Sequence, residues 1–198
     1  MALNANALIT EAEYELFLGN LSLATADAEA QINYASDYIE RYTNRVLIQT
    51  AYTRQQYDGN DRQFLLLDNL PITNGETFTV EEWDTFNDSL LTTLVVNQDY
   101  LVYEPEGKIY NRGLWFQGKK RWRITYTAGW LIANVPDDLK VACAKIANLL
   151  RVNSGGLLKA SENIGNYAYQ NIASGSNLGF PIPLEIIVVL KAYRRDIL

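Results

Sequence analysis

Carboxylates are the first residues in this chain to suggest chemistry. Glu81, Glu82 and Asp84 stand together in "EEWD", with Asp88 four residues beyond. A pair of carboxyl groups flanking a glycosidic bond is what sugar hydrolysis requires. The sequence sets no separation between these four, and adjacent acidic side chains are ordinarily solvated, which weighs against catalysis. "YDGND" (residues 57–61) superficially suggests a calcium loop but lacks the longer ligand series and closing bidentate Glu that such a loop needs. A hairpin turn is the better reading. "WFQGKKRWRITY" (residues 115–126) mixes aromatic and basic residues as oligonucleotide-binding surfaces do. Its alternation instead sends the aromatics inward and leaves Lys119 and Lys120 at a turn tip.

Nucleophilic and metal chemistry find little to work with. The chain has no His, which removes the commonest general base and the commonest metal ligand. Its one Cys, Cys143, lies in an apolar helical stripe and has no imidazole to activate it. Walker, dinucleotide-binding and nucleophile-elbow patterns are missing. The residues therefore predict no catalytic site, cofactor or metal.

The elements that carry these residues fall into two kinds. Thr10 followed by Glu13 is a capping-box pattern that opens a short helix, and Gly19 closes it. Ala28, Ile32, Ala35, Ile39 and Tyr42 then recur at helical spacing within a longer helix from about Thr25 to Asn44. After Leu47 the texture turns to strands. Asp58-Gly59 and Asn60-Asp61 predict a hairpin, and Trp122, Ile124 and Tyr126 share one face of a strand whose other face carries Arg121, Arg123 and Thr125. Gly129 and Pro136 punctuate the return to helix, where Leu139, Ala142, Cys143, Ile146, Leu149 and Leu150 form a stripe. "GNYAYQNIASGSNLG" is read as a flexible loop before a last helix introduced by Pro181 and Pro183. The predicted fold is α+β: a small helical bundle domain (residues 1–50 and 130–198) with an inserted antiparallel β-rich module (51–129).

At 198 residues, with 48% hydrophobic and 20% charged residues, the chain is expected to be a folded, soluble protein. The longest apolar run, Ile186 to Leu190, is far short of a membrane span, and "MALNANALIT" has no signal-peptide pattern. Net charge is −6, with seven acidic and two basic residues in 1–50 against five and seven in 131–198. An acidic surface repels phosphates, so sequence-specific DNA binding is not expected.

The order of motifs resembles the head–tail connector (adaptor) proteins of tailed bacteriophages. The residues that carry the resemblance are "LITEAEYELFLG", "IERYTNRVL", "YDGNDRQFLLLDNLPI", "DYLVY", "ITYTAGW", "VPDDLKVACAKIANLL", "ENIGNYAYQ" and "LKAYRRDIL". They span nearly the whole chain, and "TYTAGW" followed by "VPDDLK" is the sharpest. The resemblance implies a virion protein, assembled in the host cytoplasm, that forms a twelvefold ring of identical subunits in the neck. The portal protein would lie on one side and a downstream neck or tail-completion protein on the other, with genomic DNA passing through the lumen and no membrane involved. Carried onto this chain, it implies portal contact by Ala192, Tyr193, Arg194, Arg195, Ile197 and Leu198, and subunit or portal contact by Ile164, Tyr167 and Tyr169. Asp37 and Glu40, on the most acidic helix, become candidates for lumen charge. A carbohydrate- or receptor-binding β module of a tail structure is the competing reading, resting on Trp83, Trp115 and Trp130 as exposed aromatics.

Overall fold

The computed structural model describes residues 2–73, 78–153, 161–164, 167–170 and 182–194. The chain divides into two compact units, one made of Met1–Arg45 with Val135–Leu198 and the other of Val46–Asn134.

The first unit is helical. Helix α1 (Glu11–Phe17) starts at the capping box: the Glu13 N–H donates to Thr10 Oγ1 at 3.2 Å, and the Thr10 N–H donates to Glu13 Oε2 at 2.8 Å. Gly19 follows at φ +76°, a left-handed conformation open to glycine. Helix α2 (Thr25–Thr43) buries Ala28, Ile32, Ala35 and Ile39, and its seam ends on Thr43 rather than on half-buried Tyr42. Thr43 reaches that position by donating its hydroxyl to the Ile39 carbonyl at 2.8 Å. Helix α3 (Asp137–Asn153) takes its first main-chain bond from the Pro136 carbonyl and buries Leu139, Ala142, Cys143 and Ile146 against α2. Helix α4 (Leu184–Tyr193) buries only Ile186 and Leu190.

The second unit holds two antiparallel sheets around one core. Strands β1 (Thr50–Gly59), β3 (Thr79–Asp84), β4 (Ser89–Leu94) and β7 (Gly118–Ala128) form one sheet in the order β1-β7-β3-β4; β2 (Phe64–Leu66), β5 (Tyr100–Tyr103) and β6 (Lys108–Asn111) form the other in the order β2-β6-β5. Trp122, Ile124 and Tyr126 point into the core with Val80, Ile109 and Trp115, as the alternation of β7 predicts. Trp115 and Trp122 meet edge to face, 4.9 Å between centroids.

The hairpin expected at Asp58-Gly59 does not form. β1 pairs with β7 and β2 with β6, so the two runs that flank the turn belong to different sheets. The turn crosses between sheets, and Gly59 lies so close to the Phe116 carbonyl that a Cβ there would sit 1.7 Å from the oxygen. The segment read as a loop also differs: β8 (Ser161–Ile164) and β9 (Tyr167–Gln170) pair as an antiparallel hairpin across a two-residue connection. Isolated hairpin signals are weak in a polar, glycine-bearing stretch, which is why composition misread it.

Candidate assembly surfaces

Each carboxylate of the acidic run has its own structural tie. Glu82 is paired with Arg121, Asp88 with Arg123, and Glu81 lies 3.2 Å from Arg54 while accepting the Trp83 indole N–H at 2.8 Å. Asp84 accepts main-chain N–H bonds from Phe86 and Asn87; the side-chain amide of Asn87 is the main cause that holds its carboxyl below the usual range. The arrangement ties the outer face of the sheet together, with the Arg123 guanidinium 3.8 Å over the Trp83 ring. In "YDGND", Asp58 accepts the Lys120 N–H at 2.7 Å and Asp61 the Gln117 N–H at 2.8 Å. Those two carboxylates pin the entry to β7. Among the described residues, no group of three or more His, Cys, Asp or Glu is placed to hold a metal.

Cys143 is fully buried beside Ser36 Oγ at 3.6 Å, and burial pushes its thiol up to about 12. A thiol held protonated in this way is a core group rather than a nucleophile. Among the tryptophans, Trp115 is wholly buried, with its indole N–H donated to the Gln63 carbonyl at 3.1 Å; its expected exposure is therefore wrong. Trp83 and Trp130 are half-buried. Trp115 turns inward not by strand alternation but by packing edge to face on Trp122 within the core.

The residues singled out as contacts lie in three places. Ala192 and Arg194 are exposed at the end of α4, and Tyr193 between them is tied inward. Its hydroxyl donates to Asp138 Oδ1 at 2.8 Å, and its carbonyl accepts from Arg45 at 3.1 Å. Burial, and then the Asp138 carboxylate, raise the Tyr193 phenol to about 12. Arg194 lies 5.9 Å over the Tyr42 ring. Arg195, Ile197 and Leu198 lie outside the described residues, as do the glycine-bearing stretches at 154–160 and 171–181. Ile164 and Tyr167 are register partners next to the β8–β9 connection, and Tyr169 pairs with Glu162. Asp37 and Glu40 are half-buried one turn apart on α2, and both accept from the Asn6 side-chain amide, at 2.8 and 2.9 Å.

Sequence reasoning missed the exposed apolar surface. Leu184 and Val188, one turn apart on α4, are 70% and 60% exposed, and Val141 on α3 is also open. α3 and α4 run antiparallel, with Lys145 2.5 Å from Glu185 at one end and Asp138 bonded to Tyr193 at the other. The signal was available in "LEIIVVL", which is apolar all round instead of striped; such a helix is normally covered on every side.

Residues 7–195 match the head completion protein family. The chain belongs to that family. It is a structural virion protein of the head–tail connector kind. No curated protein matches the chain. Its fold is also similar to that of three solved chains. One, from the neck of an empty gene transfer agent particle computed with C6 symmetry, is 17% identical with a TM-score of 0.56, over 100% of this chain and 94% of that one. A second, from the virion of a native gene transfer agent particle, is 17% identical with a TM-score of 0.55 over the same shares. The third, from the neck of the native particle computed with C12 symmetry, is 16% identical with a TM-score of 0.52, over 100% of this chain and 97% of that one. Among the described residues, no helix is long and apolar enough to cross a membrane.

Proposed function

We propose that identical copies of this chain close into a ring in the virion neck, joining the capsid's portal protein to a downstream neck or tail-completion protein around the DNA exit channel. The observation that carries this reading is the family match across residues 7–195, and the similar folds drawn from necks computed with C6 and C12 symmetry support it. The open apolar face of α4 gives a physical reason for neighbours, because Leu184 and Val188 gain stabilisation only when another surface covers them. The β8–β9 hairpin adds to it, since two strands alone are marginal in water and need packing from elsewhere. Ala192, Tyr193 and Arg194 supply the portal-facing end, and Asp37 and Glu40 supply lumen charge that repels the DNA backbone during passage. No bond is made or broken in this role, in keeping with carboxylates committed to ion pairs or turns and a protonated, buried thiol.

Electron microscopy of particles assembled with chosen variants tests the proposal. Leu184→Asp with Val188→Asp is expected to abolish rings and leave untailed heads, while the monomer keeps its helical circular dichroism. Ala192→Glu with Arg194→Glu is expected to spare the ring and lose docking to the portal. Tailed particles at wild-type frequency from both double variants would overturn it.

A further inference from the structure

Lys140 and Lys145 lie five residues apart on α3, so their side chains leave it about 140° apart. Lys140 meets Glu13 of α1 at 2.6 Å, and Lys145 meets Glu185 of α4 at 2.5 Å. Both helices also pack on α3. α1 and α4 therefore lie on nearly opposite flanks of α3. The outward face of one cannot cover the outward face of the other within a single chain.

Both outward faces are apolar. Residues two positions apart on a helix point about 200° apart, which is to opposite sides. Tyr14 is the buried residue of α1, and Leu16, two positions on, is 67% exposed. Phe17 and Leu21 continue the open apolar surface beyond it. On α4 the same spacing sets exposed Leu184 and Val188 opposite buried Ile186 and Leu190.

The charges beside the two faces differ in sign. Residues 1–40 hold seven carboxylates and no Lys or Arg. Within α1, Lys140 matches Glu13, but Glu11 and Glu15 have no cation among the described residues. Partial desolvation, then the Glu29 and Glu15 carboxylates, raise the Glu11 carboxyl above its ordinary value. Crowded carboxylates of this kind are relieved by a base. On α4, Lys191 stands one turn beyond Val188, exposed and without an ion pair among the described residues. The carboxylates nearest that face are already engaged, Glu185 by Lys145 and Asp138 by the Tyr193 hydroxyl.

We infer that the open face of α4 is covered by α1 of the next identical copy. Leu184 and Val188 pack on Leu16, Phe17 and Leu21, and Lys191 is set against Glu11 and Glu15. A contact between two different surfaces repeats head to tail, and it closes into a ring when the rotation allows. The inference rests on the proposed ring and adds which surface does the covering. Self-paired contacts fit less well. Two α1 faces would bring carboxylates together, and two α4 faces would leave Lys191 without a free carboxylate.

Particles assembled from full-length chains carrying both Leu16→Cys and Val188→Cys test the contact. Cys143 is buried, so the wild-type chain is the unreactive control. A short bismaleimide is expected to link the double variant into a ladder of multimers on a denaturing gel. A mixture of the two single variants should stop at dimers, and each single variant alone should stay monomeric. Leu21→Cys with Leu184→Cys is a second pair with the same expectation. Lys191→Glu should lower the yield of tailed particles about tenfold and Lys191→Arg should not, with helical circular dichroism unchanged in both. Dimers from a single variant alone would make the contact self-paired and overturn the inference. So would a wild-type yield from Lys191→Glu, or rings in particle images in which neither cysteine pair cross-links. That last result leaves the ring standing with another protein over α4, whereas the absence of any ring overturns both.

Discussion

Gly129 has φ +103°, and a Cβ built there would stand 2.6 Å from the Ile48 carbonyl oxygen and 2.8 Å from the Gln49 nitrogen. Both the left-handed backbone and the close approach demand glycine at this position, where the Gly129 N–H also donates to the Pro71 carbonyl at 2.9 Å. Gly129→Ala is therefore expected to destabilise the β unit by about 2–4 kcal/mol. Urea denaturation followed by tryptophan fluorescence would read that shift, and a midpoint unchanged within error would refute the account. From the sequence, Gly129 was recognisable as punctuation between strand and helix. Its cause was hidden, because the residue it approaches, Ile48, lies about eighty positions earlier and only the paired strands bring the two together.

At the scale of elements, α1 shows how a local signal becomes a tertiary one. Glu13 closes the capping box and also meets Lys140 of α3 at 2.6 Å. Partial burial by itself would raise its carboxyl, but the Lys140 ammonium, and then the bonds from Thr10, outweigh burial and lower it below the usual carboxylate range. A carboxyl lowered by folding contributes stability that is present above its unfolded value and lost as pH falls below it. Glu13→Ala should cost about 1 kcal/mol at pH 7, mostly as lost capping, since a partly exposed ion pair adds little. The gap between variant and wild type should narrow as pH drops below that range. Helical circular dichroism during denaturation at pH 7 and pH 3 measures both, and a gap independent of pH would count against the assignment. The capping box, the α2 seam and the β7 alternation were legible because each depends on residues a few positions apart. Strand pairing was not: "YDGND" has hairpin composition, yet the partners of β1 and β2 were decided by the packing of two sheets, with Asp58 and Asp61 bonding far along the chain. At the candidate surfaces, residue types marked the end of α4, while the exposure of Leu184 and Val188 required knowing which side α2 and α3 cover.

For the whole molecule, the two units have separable readouts, because all four tryptophans lie within 46–134 and, among the described residues, the four α-helices lie outside it. The β unit enters and leaves through one closed pair of chain segments: the Trp130 N–H donates to the Leu47 carbonyl, and the Gln49 N–H donates to the Trp130 carbonyl, each at 2.8 Å. Among the described residues, its core cluster draws on both sheets. The buried cluster of the β unit is built from residues between Tyr57 and Ala128, so residues 46–134 expressed alone are expected to fold. Their tryptophan-detected midpoint in urea should fall within about 1 kcal/mol of that in the full chain. In the intact chain, tryptophan fluorescence and helical circular dichroism should give transitions that do not coincide, since two cores unfolding independently break two-state behaviour. Coincident transitions in the full chain, together with an unfolded excised fragment, would mean that the units stabilise one another.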